Sequence, residues 1–136
     1  MKIGLIGAGR IGKLHGELLT YHISEAEIKT VADIYRGNVE QWAKQLNILS
    51  VTTDYKNILN DSEIEAVLIC SSTDTHAQLI VEAAQAGKHI FCEKPIDFNT
   101  TCLMNYCRIS EESRMFRLNS KVKFPCTMAV QSTMMD

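Results

Sequence analysis

The chain has 136 residues, of which 46% are hydrophobic and 22% charged, proportions typical of one folded domain with a substantial core. Its 14 basic and 16 acidic side chains give a net charge of −2, which excludes the basic surface that nucleic-acid binding requires. The 5 cysteines are odd in number and form no C-x-x-C pair, so we expect no disulfide framework, no metal site and a reducing, cytoplasmic location.

Apolar runs alternate with amphipathic runs along the first hundred residues, which predicts strands alternating with helices. The first strand, KIGLI, is followed at once by glycines and Arg10, an interruption that excludes a signal peptide or a membrane span. Such alternation predicts a doubly wound, mostly parallel α/β sheet with helices on both faces, the Rossmann fold. Further strands are predicted at 27–33, 48–52, 65–71 and 88–93, and helices after residue 10, around 39–46, at 55–60 and at 75–86, with Gly87 as a helix C-cap.

The chain changes character after about residue 100. All 7 glycines lie before residue 88, whereas five of the six methionines lie after residue 103. We expect one Rossmann domain over 1–117, in which Asn99 or Thr100 caps one more helix. The remaining residues, 118–136, form an atypical tail with room for a sixth strand.

The segment GAGRIG carries three glycines in the G-x-G-x-x-G spacing between the first strand and the first helix. The first glycine permits a tight turn, the second lets the backbone approach a pyrophosphate, and the third lets the helix pack closely on the strand. Free N–H groups at the helix start then face the phosphates. A tight turn without a ligand remains the alternative. The residues of this segment that we expect to contact a dinucleotide are Gly7, Ala8, Gly9, Arg10, Ile11 and Gly12.

Asp33 ends the second predicted strand and completes the dinucleotide pattern. Its carboxylate can accept hydrogen bonds from both adenosine ribose hydroxyls, and its charge would repel a 2′-phosphate, so the pattern favours NAD over NADP. Ile34 is a further candidate cofactor contact. Arg36 is another, since a guanidinium can stack on adenine or pair with a 2′-phosphate. The alternative for Asp33 is a plain turn residue.

Ligands of open parallel sheets lie beyond the carboxyl ends of the strands, so the residues after the fourth strand are also candidates. Cys70, Ser71 and Ser72 are small enough to let a ribose approach on the nicotinamide side. Asp74 and Thr75 have the side chains of helix caps. The next candidate, His76, either contacts the cofactor or substrate or has a capping or surface role.

The fifth predicted strand ends in Glu93, Lys94 and Pro95. Oxidation of a secondary alcohol requires a polar group within hydrogen-bond reach of the hydroxyl, and a lysine can donate to that oxygen or relay its proton. Glu93 could hold the ammonium in position or contact the cofactor. Pro95 biases Lys94 towards extended backbone and could be cis. The alternative for Lys94 is a surface lysine before a turn.

Four motifs follow one another along the first hundred residues: GAGRIG, VAD, STDTH and CEKP. In this order and spacing the chain resembles the glucose-fructose oxidoreductase and inositol dehydrogenase (Gfo/Idh/MocA) family. Two longer stretches, GAGRIGKLH and HIFCEKPID, look most like the bacterial myo-inositol 2-dehydrogenases of that family. The resemblance implies an NAD-dependent oxidoreductase that oxidises a secondary hydroxyl of a polyol or sugar, with Lys94 as its catalytic lysine.

The resemblance also implies a second domain, which in the family supplies the substrate pocket, the other relay residues and usually the oligomer contacts. The segment KVKFPCTMAVQSTMMD does not match the start of that domain, so we expect the substrate domain to be missing and the chain to bind NAD but be inactive alone. Self-association as a homo-oligomer stays open. The alternatives are a non-catalytic NAD-binding regulatory module and a degenerate fragment.

Overall fold

The computed structural model describes residues 1–95, except the side chain of Asn38. The described chain alternates strands and helices, as the sequence predicts. The strands are β1 (Lys2–Ile6), β2 (Glu27–Ala32), β3 (Ser50–Thr52), β4 (Ala66–Ile69) and β5 (His89–Cys92). The helices are α1 (Arg10–His22), α2 (Arg36–Gln45), α3 (Lys56–Leu59) and α4 (Thr73–Gln85).

The five strands form one parallel sheet in the order β3-β2-β1-β4-β5. The chain therefore moves outward from β1 in one direction through β2 and β3, then crosses back to place β4 on the other side of β1. This reversal creates a crevice at the carboxyl ends of β1 and β4, the place where open α/β sheets bind ligands. The predicted doubly wound α/β fold is confirmed.

Two apolar clusters cover the two faces of the sheet, because consecutive residues of a strand point to opposite faces. Leu5, Val31 and Leu68 belong to the cluster that also contains Trp42 of α2. Residues next to them in sequence, such as Ile6 and Ala32, belong to the second cluster, which also contains side chains of α3 and α4. Each central strand is thus buried on both sides, which explains why its sequence is continuously apolar.

Two of the helices end in the same left-handed cap. Asn47 follows α2 with φ 58°, and its N–H and that of Ile48 bond back to the carbonyls of Lys44 and Ala43 at 3.1 and 2.9 Å. Gly87 closes α4 in the same way with φ 76°, which confirms the predicted cap. The prediction that the third strand begins at 48 is wrong, because Ile48 is buried as part of the helix cap and the strand begins at Ser50.

The side chain of Lys88 is buried at the amino end of the sheet, where β5 begins. Its Nζ donates hydrogen bonds of 2.6 Å to the Asp61 carbonyl and 2.8 Å to the Ile64 carbonyl. Lys88 therefore links the start of β5 to the turn before β4, at the amino ends of the strands, whereas the crevice lies at their carboxyl ends.

The predicted helix after Asn99 or Thr100, the possible sixth strand and the tail 118–136 lie outside the described residues. Within residues 1–95, no helix combines the length and apolar character needed to cross a membrane.

Candidate functional site

The glycine turn between β1 and α1 is built for close approach at its middle position. Gly7 has φ 88°, and a Cβ added there would lie 2.5 Å from the Ser71 nitrogen. A Cβ at Gly12 would lie 2.0 Å from the Gly7 carbonyl oxygen, so the packing of helix on strand requires both glycines. A Cβ at Gly9 would meet no atom within 4 Å. The protein's own packing therefore does not explain Gly9, whereas a ligand lying against the turn would.

The N-terminus of α1 opens directly from this turn. Gly9 is its N-cap residue, no side chain caps it among the described residues, and its first turn contains no acidic residue. The first N–H groups of a helix have no partner within the helix, and the helix dipole adds positive potential there. This end of α1 can therefore bind an anionic group such as a pyrophosphate.

Asp33 lies beside the glycine turn, as the sequence predicts for a dinucleotide site. One carboxylate oxygen accepts a hydrogen bond of 2.7 Å from the Ala8 N–H, and the other accepts one of 2.8 Å from the Tyr35 N–H. The backbone N–H of Asp33 donates to the Thr52 carbonyl at 3.0 Å. The acid is therefore held at the carboxyl ends of β1, β2 and β3 at once.

The next two candidates lie on the outer side of Asp33. Ile34 is 75% exposed, and Arg36, the first residue of α2, donates from Nε to Glu40 of the same helix. Neither side chain contacts the glycine turn through a hydrogen bond or ion pair in the part of the chain that the structure describes. Contact with the adenosine end of a cofactor stays a prediction for both.

The residues after β4 lie against the glycine turn. The Cys70 N–H donates to the Ile6 carbonyl at 2.8 Å, and the Ser71 hydroxyl lies 2.7 Å from that of Thr75. Ser72 is the N-cap residue of α4, and its side chain makes no cap hydrogen bond. The predicted capping role of Asp74 and Thr75 is wrong, because α4 begins at Thr73, two residues earlier than predicted.

The thiols of this region are held in their neutral form. Burial, and secondarily the Glu93 charge, raises the pKa of Cys70 to about 12. Burial, with smaller contributions from Cys70 and Glu93, also raises the pKa of Cys92 to about 12. A neutral thiol is a poor nucleophile and a poor metal ligand. Within residues 1–95, no group of three or more His, Cys, Asp or Glu side chains could hold a metal ion.

His76 is buried inside the site rather than on the surface, with only 1% of its area exposed. Its Nδ1 lies 2.9 Å from the Pro95 carbonyl oxygen and its Nε2 lies 2.9 Å from the Ser71 carbonyl oxygen. Both ring nitrogens thus face backbone acceptors. The side chain joins the segment after β4 to the segment after β5, and its predicted contact with cofactor stays a prediction.

The acid and the lysine after β5 reach the same edge of the sheet as the glycine turn. The Glu93 N–H donates to the Ile69 carbonyl at 2.9 Å, and one Glu93 carboxylate oxygen accepts from the Lys94 N–H at 3.2 Å. Lys94 is exposed, and its bond to Pro95 is cis. The peptide geometry that the sequence allowed is therefore the one observed.

His15 of α1, which the sequence analysis missed, contacts the other Glu93 carboxylate oxygen through Nε2 at 2.7 Å. The hydrogen bond from His15 is the main reason why the pKa of Glu93 is lowered, and the Lys94 N–H adds to it. The ring of His15 also packs edge-on against Phe91, with centroids 5.7 Å apart. Only the strand order reveals this pairing, because His15 and Glu93 are far apart in sequence.

A parallel sheet with a glycine turn after its central strand and an acid after the neighbouring strand defines a dinucleotide-binding domain of the Rossmann class. The model of the Gfo/Idh/MocA oxidoreductase family, described as having an NAD-binding Rossmann fold, matches residues 1–117. The chain belongs to that family.

Curated relatives and solved structures agree with this membership. The chain is 49% identical over 96 residues to the uncharacterized oxidoreductase YrbE of Bacillus subtilis, covering 71% of this chain and 28% of the relative. It is 37% identical over 114 residues to a myo-inositol 2-dehydrogenase of Thermotoga maritima, covering 84% of this chain and 33% of the relative. The scyllo-inositol dehydrogenase of Lactobacillus casei, solved with NAD(H) and scyllo-inositol, superposes with a TM-score of 0.79 at 29% identity, covering 84% of this chain and 34% of that one.

The chain spans about a third of the length of these relatives. The residues that the family model matches, 1–117, include the glycine turn, Asp33 and the Glu-Lys-Pro segment.

Proposed function

We propose that this chain provides the NAD-binding domain of a dehydrogenase that oxidises a ring hydroxyl of inositol or a similar cyclic polyol. The main support is the position of Lys94, which follows β5 at the same edge of the sheet where the glycine turn follows β1. A dinucleotide lying across the crevice would extend from the glycine turn towards this lysine. The inositol dehydrogenases among the relatives support the substrate class.

The residues around the glycine turn suit the adenosine and pyrophosphate parts of NAD. The open space beside Gly9 and the uncapped N-terminus of α1 would receive the pyrophosphate. Asp33 would exchange its bond to the Ala8 N–H for the ribose hydroxyls, which frees that N–H for the phosphate. Asp33 would keep the bond from the Tyr35 N–H and accept two from the ribose in place of the one from Ala8, and its charge makes a 2′-phosphate unfavourable beside the same carboxylate.

Lys94 would act on the substrate. NAD, when bound, supplies the hydride acceptor. The Lys94 ammonium would donate a hydrogen bond to the reacting hydroxyl oxygen, orient it and stabilise negative charge as the hydroxyl proton passes to solvent or to a relay residue outside residues 1–95. The small side chains after β4, Cys70, Ser71 and Ser72, leave room for the nicotinamide ribose, and the neutral Cys70 thiol would not compete as a nucleophile.

The domain arrangement is part of the proposal. Residues 1–117 would form the NAD-binding domain and 118–136 an appended tail. A homo-oligomer is supported by exposed apolar side chains on one side of α1, where Leu14 is 50% and Leu18 45% exposed. Sedimentation velocity at two protein concentrations measures self-association, and a concentration-independent monomer would contradict the homo-oligomer.

A cytoplasmic location is proposed from the free thiols.

Isothermal titration of the 136-residue chain with NAD⁺ and NADP⁺ tests the cofactor, and we expect NAD⁺ to bind at least about tenfold more tightly because a 2′-phosphate would lie against Asp33. Titration with NADH tests Lys94. An ammonium beside the nicotinamide disfavours the cationic NAD⁺ ring, so Lys94→Met should raise NAD⁺ affinity relative to NADH by about threefold. Lys44→Met, which removes an exposed charge from α2, is the matched control.

Each result bears on a different part of the proposal. Absence of binding by any of the three nucleotides would overturn the cofactor assignment. If the chain binds NAD⁺ but Lys94→Met leaves the ratio of NAD⁺ to NADH affinity unchanged, Lys94 does not lie beside the nicotinamide. That result would favour a non-catalytic NAD-binding module.

A further inference from the structure

The contact between His15 and Glu93 joins two parts of the fold that the proposed function uses differently. His15 lies on α1, whose N-terminus opens from the glycine turn. Glu93 directly precedes Lys94 and follows the last residue of β5. The 2.7 Å contact between their side chains therefore connects the pyrophosphate end of the site to the proposed catalytic end.

Both oxygens of the Glu93 carboxylate have a hydrogen-bond partner. One oxygen contacts His15 Nε2, and the other accepts the hydrogen bond from the Lys94 N–H. The Glu93 backbone N–H is itself fixed on the Ile69 carbonyl of β4. A carboxylate held at both oxygens has one orientation, so it fixes the backbone of the residue that follows it.

The surroundings of the pair strengthen it. The His15 and Glu93 side chains are only 29% and 27% exposed, so water screens their attraction less than at an open surface. Phe91 packs against the His15 ring and limits its rotation. Within residues 1–95, the titratable groups that face the Glu93 carboxylate are His15 from α1, Cys70 after β4, Cys92 of β5 and Lys94 directly after Glu93.

We infer that His15 is a positioning residue, which through Glu93 holds the Lys94 backbone at the nicotinamide end of the site. This inference rests on the proposed function for the role of Lys94, but not for the existence of the link. His15 touches neither cofactor nor substrate in this role. It makes the placement of Lys94 depend on α1, the helix that receives the pyrophosphate.

The first test measures the link without any nucleotide. In ¹H–¹⁵N spectra of the full chain, the Lys94 amide signal should move in His15→Leu, because the released carboxylate no longer holds that N–H. His15→Gln, whose amide can still donate to Glu93, should restore most of the wild-type position. His22→Leu changes an exposed histidine in the last turn of the same helix and should leave the signal in place. An unmoved Lys94 amide in a folded His15→Leu variant would overturn the inference.

The second test measures the consequence for the cofactor. The ratio of NAD⁺ to NADH affinity in His15→Leu should shift by up to about threefold towards the value of Lys94→Met, and adding Lys94→Met to His15→Leu should change it little further.

Additive effects of the two substitutions on this ratio would overturn the positioning role. Failure of the wild-type chain to bind either nucleotide would instead overturn the proposed function, and the amide signal would then still decide whether His15 holds Lys94.

Discussion

The Asp33 carboxylate accepts a 2.7 Å hydrogen bond from the Ala8 N–H, so the end of β2 and the glycine turn are already joined without a ligand. The ligand-binding loop is therefore held by the protein before a nucleotide arrives. The Tyr35 N–H holds the other oxygen of this carboxylate at 2.8 Å, so the side chain that would receive the ribose keeps one backbone partner when its bond to Ala8 is exchanged.

Substitution of Asp33 should change which nucleotide the chain prefers. In Asp33→Ala, NAD⁺ affinity should fall at least about tenfold, since two charge-assisted ribose hydrogen bonds are lost. NADP⁺ affinity should fall less or rise, because the repulsion of the 2′-phosphate disappears. Titration calorimetry measures both. Glu27→Ala, at the opposite end of β2, is the control, and an unchanged preference in Asp33→Ala would contradict the ribose role.

The second and third glycines of the turn should respond to alanine in opposite ways. Gly12→Ala should lower the free energy of unfolding by roughly 2–4 kcal/mol, because the new Cβ would lie 2.0 Å from the Gly7 carbonyl oxygen. Gly9→Ala should keep stability within about 1 kcal/mol, since nothing lies within 4 Å of its Cβ, but should weaken NAD⁺ binding. Thermal unfolding and titration distinguish the two effects. Normal NAD⁺ affinity in Gly9→Ala would contradict binding of the pyrophosphate at this turn.

The buried ammonium of Lys88 should contribute to stability away from the site. Lys88→Met should cost roughly 2–4 kcal/mol of unfolding free energy, because the carbonyls of Asp61 and Ile64 lose their donor in a buried place. NAD⁺ affinity of the folded fraction should be unchanged. Urea unfolding gives the first quantity, with exposed Lys44→Met as the control. A stability loss equal to that of the control would show that water replaces the ammonium without penalty.

The His15–Glu93 contact should give stability a defined pH dependence. The pKa of Glu93 is lowered in the folded chain from the ordinary value of 4.5, so its contribution is fully present above that value and is lost as the pH falls through the folded pKa. Glu93→Gln should therefore be less stable than wild type at neutral pH by roughly 0.5–1 kcal/mol, and the difference should vanish in acid. Urea unfolding across this pH range measures it, with Glu27→Gln as the control. A difference that is constant down to the acid limit would contradict the assignment.

Much of the fold could be predicted from the sequence because the strands are continuously apolar and the helices periodic. The glycine turn and Asp33 were also predictable, since the residues that form that part of the site follow consecutive strands in a fixed order. The start of β3 was not, because Ile48 is apolar for a different reason: it is buried as the cap of α2, while the next residue, Leu49, is 98% exposed. Composition alone does not distinguish a capping residue from a strand residue.

The remaining differences concern residues whose partners are distant in sequence. A surface position for His76 is wrong, because its side chain is buried between the carbonyls of Ser71 and Pro95, whereas its contact with a cofactor or substrate stays a prediction. His15 gave no signal, since its contact with Glu93 exists only once β5 is placed next to β4 and within reach of α1. Such contacts follow from the strand order and cannot be found from local periodicity.

The central position of β1 has a consequence for synthesis on the ribosome. Ile3 pairs with Ile28 on one side and with Ala66 on the other, and neighbouring residues of β1 enter the two opposite apolar clusters. A nascent chain that has released β1 and β2 but not β4 can pair only one side of its first strand. The other side of β1 therefore stays unpaired until β4, which begins at Ala66, has also emerged, when more than half of the described residues have been made.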